Sequence, residues 1–261
     1  MIKKAAKDFF KLFGFEVRRI ATSARSKKTD RLTYYKTATG NYYLPTDARG
    51  DVVANTIINN GIFEPEVIEI ARKYIKPNTV ALDVGANFGQ MSLLFSEMVA
   101  GNGKVYSFEA DNFVFDILNK NIAANNKTHS IQPIFGAVHN KADEFLTFPE
   151  QDFEKYETYG SYGIDYNQSS GRQVKTVTID SFEFPLPVTF MKIDIQGGDL
   201  FAMQGAVQTI SKHRMPILFE YEYHFQDQFN FRFQEYVDFV SSIGYKFDKV
   251  LNGHNFLILP K

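Results

Sequence analysis

An α/β fold with a mostly parallel sheet is predicted by three observations. Strand and helix patterns alternate from Thr79 to Ile243, a glycine-bearing loop runs from the strand end Asp83 to Gly89, and two closely spaced strand patterns finish the chain. At 261 residues the chain suits one such domain with an extension and is short for two. Its 44% hydrophobic and 23% charged content is ordinary globular usage, weighted towards 26 Phe and 14 Tyr. A formal charge of −1 supplies no chain-wide basic field, which argues against nucleic acid as a partner. The lack of cysteine excludes disulfides, Cys-ligated zinc, iron–sulfur clusters and thiol nucleophiles, and fits a cytoplasmic protein. No run reaches the roughly 20 apolar residues of a membrane span, and neither secretion nor a transmembrane anchor is expected.

Residues 1–33 read as a basic, amphipathic helical extension, and residues 34–261 as the main domain. Residues 1–28 carry nine Lys and Arg against Asp8 and Glu16, above an apolar stripe of Ile2, Ala6, Phe9, Phe10, Phe13 and Val17. Docking on the protein's own domain or a second subunit is the favoured use of such a helix. Peripheral contact with an anionic inner membrane face is the alternative.

A Tyr-rich hairpin pattern follows around Tyr34–Leu44. Glu64-Pro65 then opens a helix that Pro77 stops, since proline suits a first helical position and cannot continue one. Next come a strand at Thr79–Val84, a helix at Asn87–Ala100, a strand at Val105–Phe108 and a helix at Asp111–Asn125. Strands at Ile131–Phe135 and Val188–Ile193, a helix over Leu200–Lys212, a strand at Ile217–Tyr221 and a helix near Phe233–Ile243 continue the rhythm. Tyr245–Val250 and Asn255–Leu259, joined through Leu251-Asn252-Gly253-His254, predict an antiparallel sheet edge. The Tyr- and Gly-rich stretch between Pro149 and Arg172 has the composition of a lid, a binding loop or plain mobile surface.

The Asp83–Gly89 loop carries the chemical signal. Gly85 and Gly89 let backbone approach a ligand, and Asn87 is placed to cap the following helix, whose positive end suits a carboxylate. A dinucleotide fingerprint would need glycine at the positions of Asn87 and Gln90. S-adenosylmethionine has no pyrophosphate and makes the smaller demand. Glu109 closes the next strand about twenty residues on, where a carboxylate can accept from both ribose hydroxyls. Ala110 and Phe108 flank that position.

Asp194 ends a later strand at the same sheet edge, with Lys192 flanking it. Its carboxylate suits a methionyl ammonium, a substrate hydroxyl or a divalent ion, although no set of residues reads as a metal site. Strand alternation puts Glu220 and Glu222 on one side and Tyr221 and Tyr223 on the other. His224 starts the loop beyond and, with Asp194, is a candidate catalytic base. His129, His139, His213 and His254 show no metal-ligand spacing.

Glu64-Pro65, the Asp83–Gly89 loop, Phe108-Glu109 and Lys192–Gly197 together resemble the FkbM family of S-adenosylmethionine-dependent methyltransferases, over roughly residues 60–225. The resemblance implies a class I methyltransferase (Rossmann-like) fold: seven strands, mostly parallel, with a C-terminal antiparallel strand. It implies O-methylation of a saccharide or related small-molecule hydroxyl. By matching position, Asp83, Gly85, Asn87, Gly89 and Glu109 take cofactor roles, and Glu64, Ala86, Ala110 and Asp194 complete the expected cofactor contacts. Gln196 departs from the pattern, which has an acid there, and Asp199 is the next acidic position. That departure supports a second reading, a non-catalytic module of the same fold docked on a membrane-associated biosynthetic assembly. Oligomeric state is left open.

Overall fold

The computed structural model describes residues 31–46, 48, 50–148, 158–159, 171–229 and 231–261. The expected helix of residues 1–28 and most of the Tyr-rich stretch lie outside the described residues. Strands β1 (Leu32–Thr37) and β2 (Gly40–Pro45) form an antiparallel hairpin, as the Tyr-rich pattern predicts. The central strands follow as β3 (Val80–Val84), β4 (Lys104–Glu109) and β5 (Ile131–Phe135). Next, β6 (Ala137–Val138), β7 (Phe145–Phe148) and β8 (Arg172–Val177) make a small separate sheet that the sequence does not announce. The chain then returns to the main sheet through β9 (Val188–Ile193), β10 (Ile217–Glu220), β11 (Tyr245–Leu251) and β12 (Asn255–Pro260).

The main sheet has seven strands in the order β11-β12-β10-β9-β3-β4-β5. Only β12 runs antiparallel to its neighbours. The final pair forms the expected antiparallel edge, with β12 inserted between β10 and β11 and β11 outermost. Burial explains the choice: Leu257 and Ile258 of β12 are fully buried, whereas Lys246, Asp248 and Lys249 of β11 are exposed. Charged side chains on an outer strand also discourage pairing with other chains.

Eight helices are described: α1 (Val52–Ile58), α2 (Pro65–Tyr74), α3 (Gln90–Val99), α4 (Asn112–Ala124), α5 (Asp199–Gln204), α6 (Val207–His213), α7 (Gln226–Phe229) and α8 (Phe233–Ser242). The single helix expected over Leu200–Lys212 is two. Gly205 separates them, and a Cβ there would lie 2.1 Å from the His139 carbonyl oxygen. Helix α1 is an addition, started by Asp51, whose Oδ1 accepts from the Ala54 N–H at 2.7 Å. Among the described residues, no helix is long and apolar enough to cross a membrane.

Alternation along the strands feeds two apolar layers, one on each sheet face. Ala81, Phe190 and Leu218 pack with Val67, Ile68, Phe95 and Ile117 of α2, α3 and α4. Leu82, Met191 and Phe219 pack on the other face with Leu200, Ile210, Tyr236 and Val240 of α5, α6 and α8.

The hairpin is bound to the sheet domain by side-chain amides that imitate a strand partner. Buried Asn121 of α4 accepts from the Tyr43 N–H at 2.6 Å and donates to the Tyr43 and Phe88 carbonyls at 3.2 and 2.9 Å. Asn125 accepts from the Asn41 N–H at 2.8 Å and donates to the Asn41 carbonyl at 2.7 Å. Asn121→Ala leaves these backbone groups without partners in a dry site. It is expected to cost about 2–4 kcal/mol in urea unfolding.

Candidate functional site

A loop following a strand can approach a ligand only if its own side chains stay clear. At Gly85 this is strict: φ is +83°, and a Cβ would lie 1.9 Å from the Asp194 carbonyl oxygen. The loop is sewn to its neighbours, with the Gly85 and Ala86 N–H groups donating to the Phe108 carbonyl at 3.0 and 2.9 Å. From the other side, the Asp194 N–H donates to the Val84 carbonyl at 3.0 Å. These contacts straddle the point between β3 and β9 where the sheet order reverses, which is where open α/β sheets bind ligands.

Glu109, at the end of β4, accepts from the Asn87 N–H at 2.9 Å and the Asp111 N–H at 2.8 Å. Burial pushes its pKa up to about 7 in spite of these bonds. Glu64, Asn87 and Gln196 all take positive φ, at 46°, 50° and 56°. Such strain in non-glycine residues concentrates at functional sites.

Beside the loop stands a buried charge cluster centred on Lys192, whose side chain is 4% exposed. Its Nζ donates to the Gly85 carbonyl at 2.9 Å, lies 3.3 Å from Asp194 Oδ2 and is 3.7 Å from Asp83 Oδ1. The last distance is a Coulombic contact rather than a hydrogen bond. Fully buried Asp83 takes its hydrogen bond from Ser92 Oγ at 2.5 Å. Asp194 is held below the ordinary carboxylate range chiefly by Lys192, against the cost of its burial. Glu220, at the end of β10, is pushed up by burial and by Asp194, with which it shares a hydrogen bond. Gln196 Nε2 joins the two carboxyls, 3.2 Å from each. Asp199 reaches the same place from below: its Oδ1 accepts from the Glu220 N–H at 3.2 Å, and burial raises its pKa to about 7.

Loop and cluster form two walls of a cavity of about 350 Å³, within the roughly 300–1,000 Å³ usual for small-molecule sites. A third wall comes from Glu64, Glu222 and His254, and Tyr159 lies across one side. The Tyr159 N–H donates to Asp51 Oδ2 at 2.8 Å, and its ring lies 6.2 Å from Phe88 and 5.8 Å from Phe113.

The pattern characteristic of the methyltransferase FkbM domain matches residues 83–247, more than half of the chain, from the end of β3 through α8. The chain belongs to the FkbM methyltransferase family. Its sheet order and single antiparallel strand are those of a class I methyltransferase fold. Among solved structures, an FkbM methyltransferase of Methylobacillus flagellatus is 15% identical with a TM-score of 0.45, covering 79% of this chain and 52% of its own. The present chain therefore spans about half the length of that protein. A proposed caffeoyl-CoA O-methyltransferase of Staphylococcus aureus is 11% identical with a TM-score of 0.49, covering 80% and 91%. A proposed methyltransferase of Streptococcus mutans, in complex with SAH, is 13% identical with a TM-score of 0.43, covering 76% and 97%. No curated protein matches the chain.

In this FkbM domain, Glu64, Gly85, Ala86, Asn87, Glu109, Ala110 and Asp194 line one cavity. Asp83 and Gly89 stand behind it: Asp83 has no exposed surface and braces Lys192 and Ser92, and Gly89 packs on Leu118. Asn87 does not cap α3 as expected. Its Oδ1 turns back to the neighbouring Phe88 N–H, and the helix starts after Gly89. Nor does Lys192 merely flank the sheet.

His224, a candidate base from the sequence, lies away from these groups. It is 66% exposed, pairs with Glu222 at 3.5 Å and lies off the cavity wall, because the chain leaves β10 and coils outward through Tyr223–Phe225. Glu220 and Glu222 do share the cavity side, as alternation predicts. Sequence reasoning passed over His254 and Gln90. The latter, where a dinucleotide fingerprint has glycine, is a buried clamp that accepts from the Phe63 N–H at 2.9 Å and donates to the Gly61 carbonyl at 2.9 Å. Its only sequence signal was the missing glycine.

Lys192→Met leaves Asp83 and Asp194 buried without their shared ammonium. By the behaviour of broken buried ion pairs it should cost about 3–5 kcal/mol in chemical unfolding. Wild-type stability in this variant would show that the carboxyls are neutralised by other means.

Proposed function

We propose that the protein transfers a methyl group from S-adenosylmethionine to a hydroxyl of a neutral saccharide or a related small-molecule acceptor. The carrying observation is the acidic lining of the cavity: Glu64, Glu109, Asp194 and Glu222 face it beside a protonated Glu220, with Lys192 already committed to Asp83 and Asp194. A dinucleotide pyrophosphate meets repulsion in such a site, whereas a sulfonium with an α-ammonium meets attraction. Gly85 lets the loop pack directly on the Asp194 backbone, which fixes the wall of the cavity that this cofactor would meet.

Glu109 suits the ribose diol, Ala110 and Phe108 the adenosine, and Asp194 with Gln196 the methionyl ammonium. S-adenosylmethionine brings an activated methyl group on a good leaving group. The protein's share is therefore to align the acceptor oxygen, exclude water and take its proton. Tyr159 and Phe88 narrow the cavity to that end. On the acceptor side, Glu64, Glu220, Glu222 and His254 offer hydrogen-bond partners for sugar hydroxyls and repel phosphorylated or carboxylated acceptors. A non-catalytic module leaned on the missing acid at 196. The Gln196 amide, bridging two carboxyls, is a better neighbour for them than a further negative charge, which removes that argument.

Two outcomes are expected. Glu109 accepts ribose hydroxyls as a carboxylate, and its pKa of about 7 makes ionisation limiting below neutrality. Calorimetry should thus show cofactor affinity tightening about tenfold between roughly pH 6 and pH 8, a dependence lost in Glu109→Gln. For the empty fold the sign is opposite. The unfolded chain releases this proton near 4.5 and the folded chain near 7, so stability falls as pH rises through that window. Second, incubation with methyl-labelled cofactor should label neutral glycans and polyols in preference to sugar phosphates and uronic acids. Transfer confined to anionic acceptors would overturn the acceptor class.

A further inference from the structure

We propose that His254 is the general base that takes the acceptor's hydroxyl proton, held in place by Glu64 and Glu220; this rests on the methyl-transfer reading above. His254 ends the turn between β11 and β12, where Asn252 and Gly253 at φ 52° and 82° reverse the chain. Because β12 inserts beside β10, that turn is carried back to the mouth of the cavity. Its backbone is fixed on both sides. The Tyr221 N–H donates to the His254 carbonyl at 2.8 Å, and Asn255 Nδ2 donates to Glu64 Oε1 at 2.8 Å.

The ring is 35% exposed and lines the cavity, with Nε2 lying 3.5 Å from Glu64 Oε1 and 4.0 Å from Glu220 Oε1. Nε2 lies within ion-pair distance of the Glu64 carboxyl, which leaves Nδ1 as the nitrogen to accept a proton. An imidazolium formed there sits against the Glu64 carboxyl at the start of α2, with the protonated Glu220 at the end of β10 beside it. Behind these stand Asp194 and Lys192 of β9. Both outer residues of this arrangement, Glu64 and His254, lie outside the residues 83–247 that match the family.

The other candidates fall away on chemistry. Asp194 is ion-paired to Lys192 and held at low pKa, which makes it a weak base. Glu220 already carries the proton it shares with Asp194. His139 is buried and stacked at 4.3 Å on Phe201, and His224 faces solvent.

In the step, the hydroxyl proton passes to His254 Nδ1 and an oxygen lone pair forms the new bond to the methyl carbon. The carbon–sulfur bond breaks with its electron pair remaining on sulfur, which turns the sulfonium into a thioether. The histidine later returns its proton to solvent through the exposed ring edge.

The test runs His254→Ala and His254→Gln beside wild type, with a labelled neutral glycan acceptor. Turnover should fall about 100- to 1,000-fold in both variants, the usual loss for a missing general base. Cofactor affinity by calorimetry and acceptor KM should stay within about threefold, as for a residue acting in the transition state. With cofactor saturating at every pH, so that Glu109 does not contribute, the acidic limb of the kcat profile should be lost in both variants, and added imidazole should restore part of the rate of His254→Ala. Equal turnover in variant and wild type overturns the base while leaving the methyl-transfer reading intact. A large loss of cofactor binding overturns it too, by making His254 a cofactor contact. Nitrogen-15 shifts of the resting protein give a readout free of any acceptor: the neutral ring should carry its proton on Nε2, and a proton on Nδ1 instead would refute the assignment.

Discussion

The buried ammonium of Lys192 is the constraint around which the functional edge of the sheet is arranged. It reaches from β9 across the switch point to the Gly85 carbonyl, and so ties the cofactor loop to the neighbouring strand by a charge-assisted hydrogen bond. The same group allows Asp83 and Asp194 to occupy an apolar setting that neither could enter ionised and alone. One cation among several acids cannot neutralise them all. Asp194 keeps its charge, while Glu220 and Asp199 are driven upward by burial and by their neighbours. The cavity is left acidic, which is why a cationic cofactor suits it.

Around that centre, neutral amides do much of the joining. Asn121, Asn125 and Gln90 bind the N-terminal hairpin, the segment before α2 and the cofactor loop to one another. Gln196 joins Asp194 to Glu220 in the same manner. Amides can donate and accept at once without adding charge, an advantage where the local field is already negative. Asp51 does two tasks in one place, starting α1 with one carboxylate oxygen and seating Tyr159 beside the cavity with the other.

The strands and helices of the central domain were legible because their apolar periods are strong and their ends carry punctuation. Ile131–Phe135 and Val188–Ile193 fall where the pattern puts them. Misreadings have local causes. Gly205 looks like a tolerable helix glycine until the His139 carbonyl is seen against it, and two short strands, β6 and β7, are too brief to show a period. Of the cavity lining, Gly85, Asn87, Glu109 and Asp194 were legible because each belongs to a contiguous motif. His254 lines it too, although it lies far from these motifs along the chain, whereas His224, next to the β10 end in sequence, does not.

What the sequence by itself determined was the α/β class, the family motifs and the glycine-bearing loop at the sheet's switch point, since each of these is written in a few adjacent residues. What only the tertiary structure decided was which distant groups share the cavity. Strand order brings the β11–β12 turn beside β10, and φ near +46° turns Glu64 inward. Lys192 folds under the loop instead of flanking the sheet. Such pairings, Glu64 with Asn255 and His254 above all, join residues almost two hundred positions apart. Nothing in local propensity records them, because their energy exists only after the sheet has assembled.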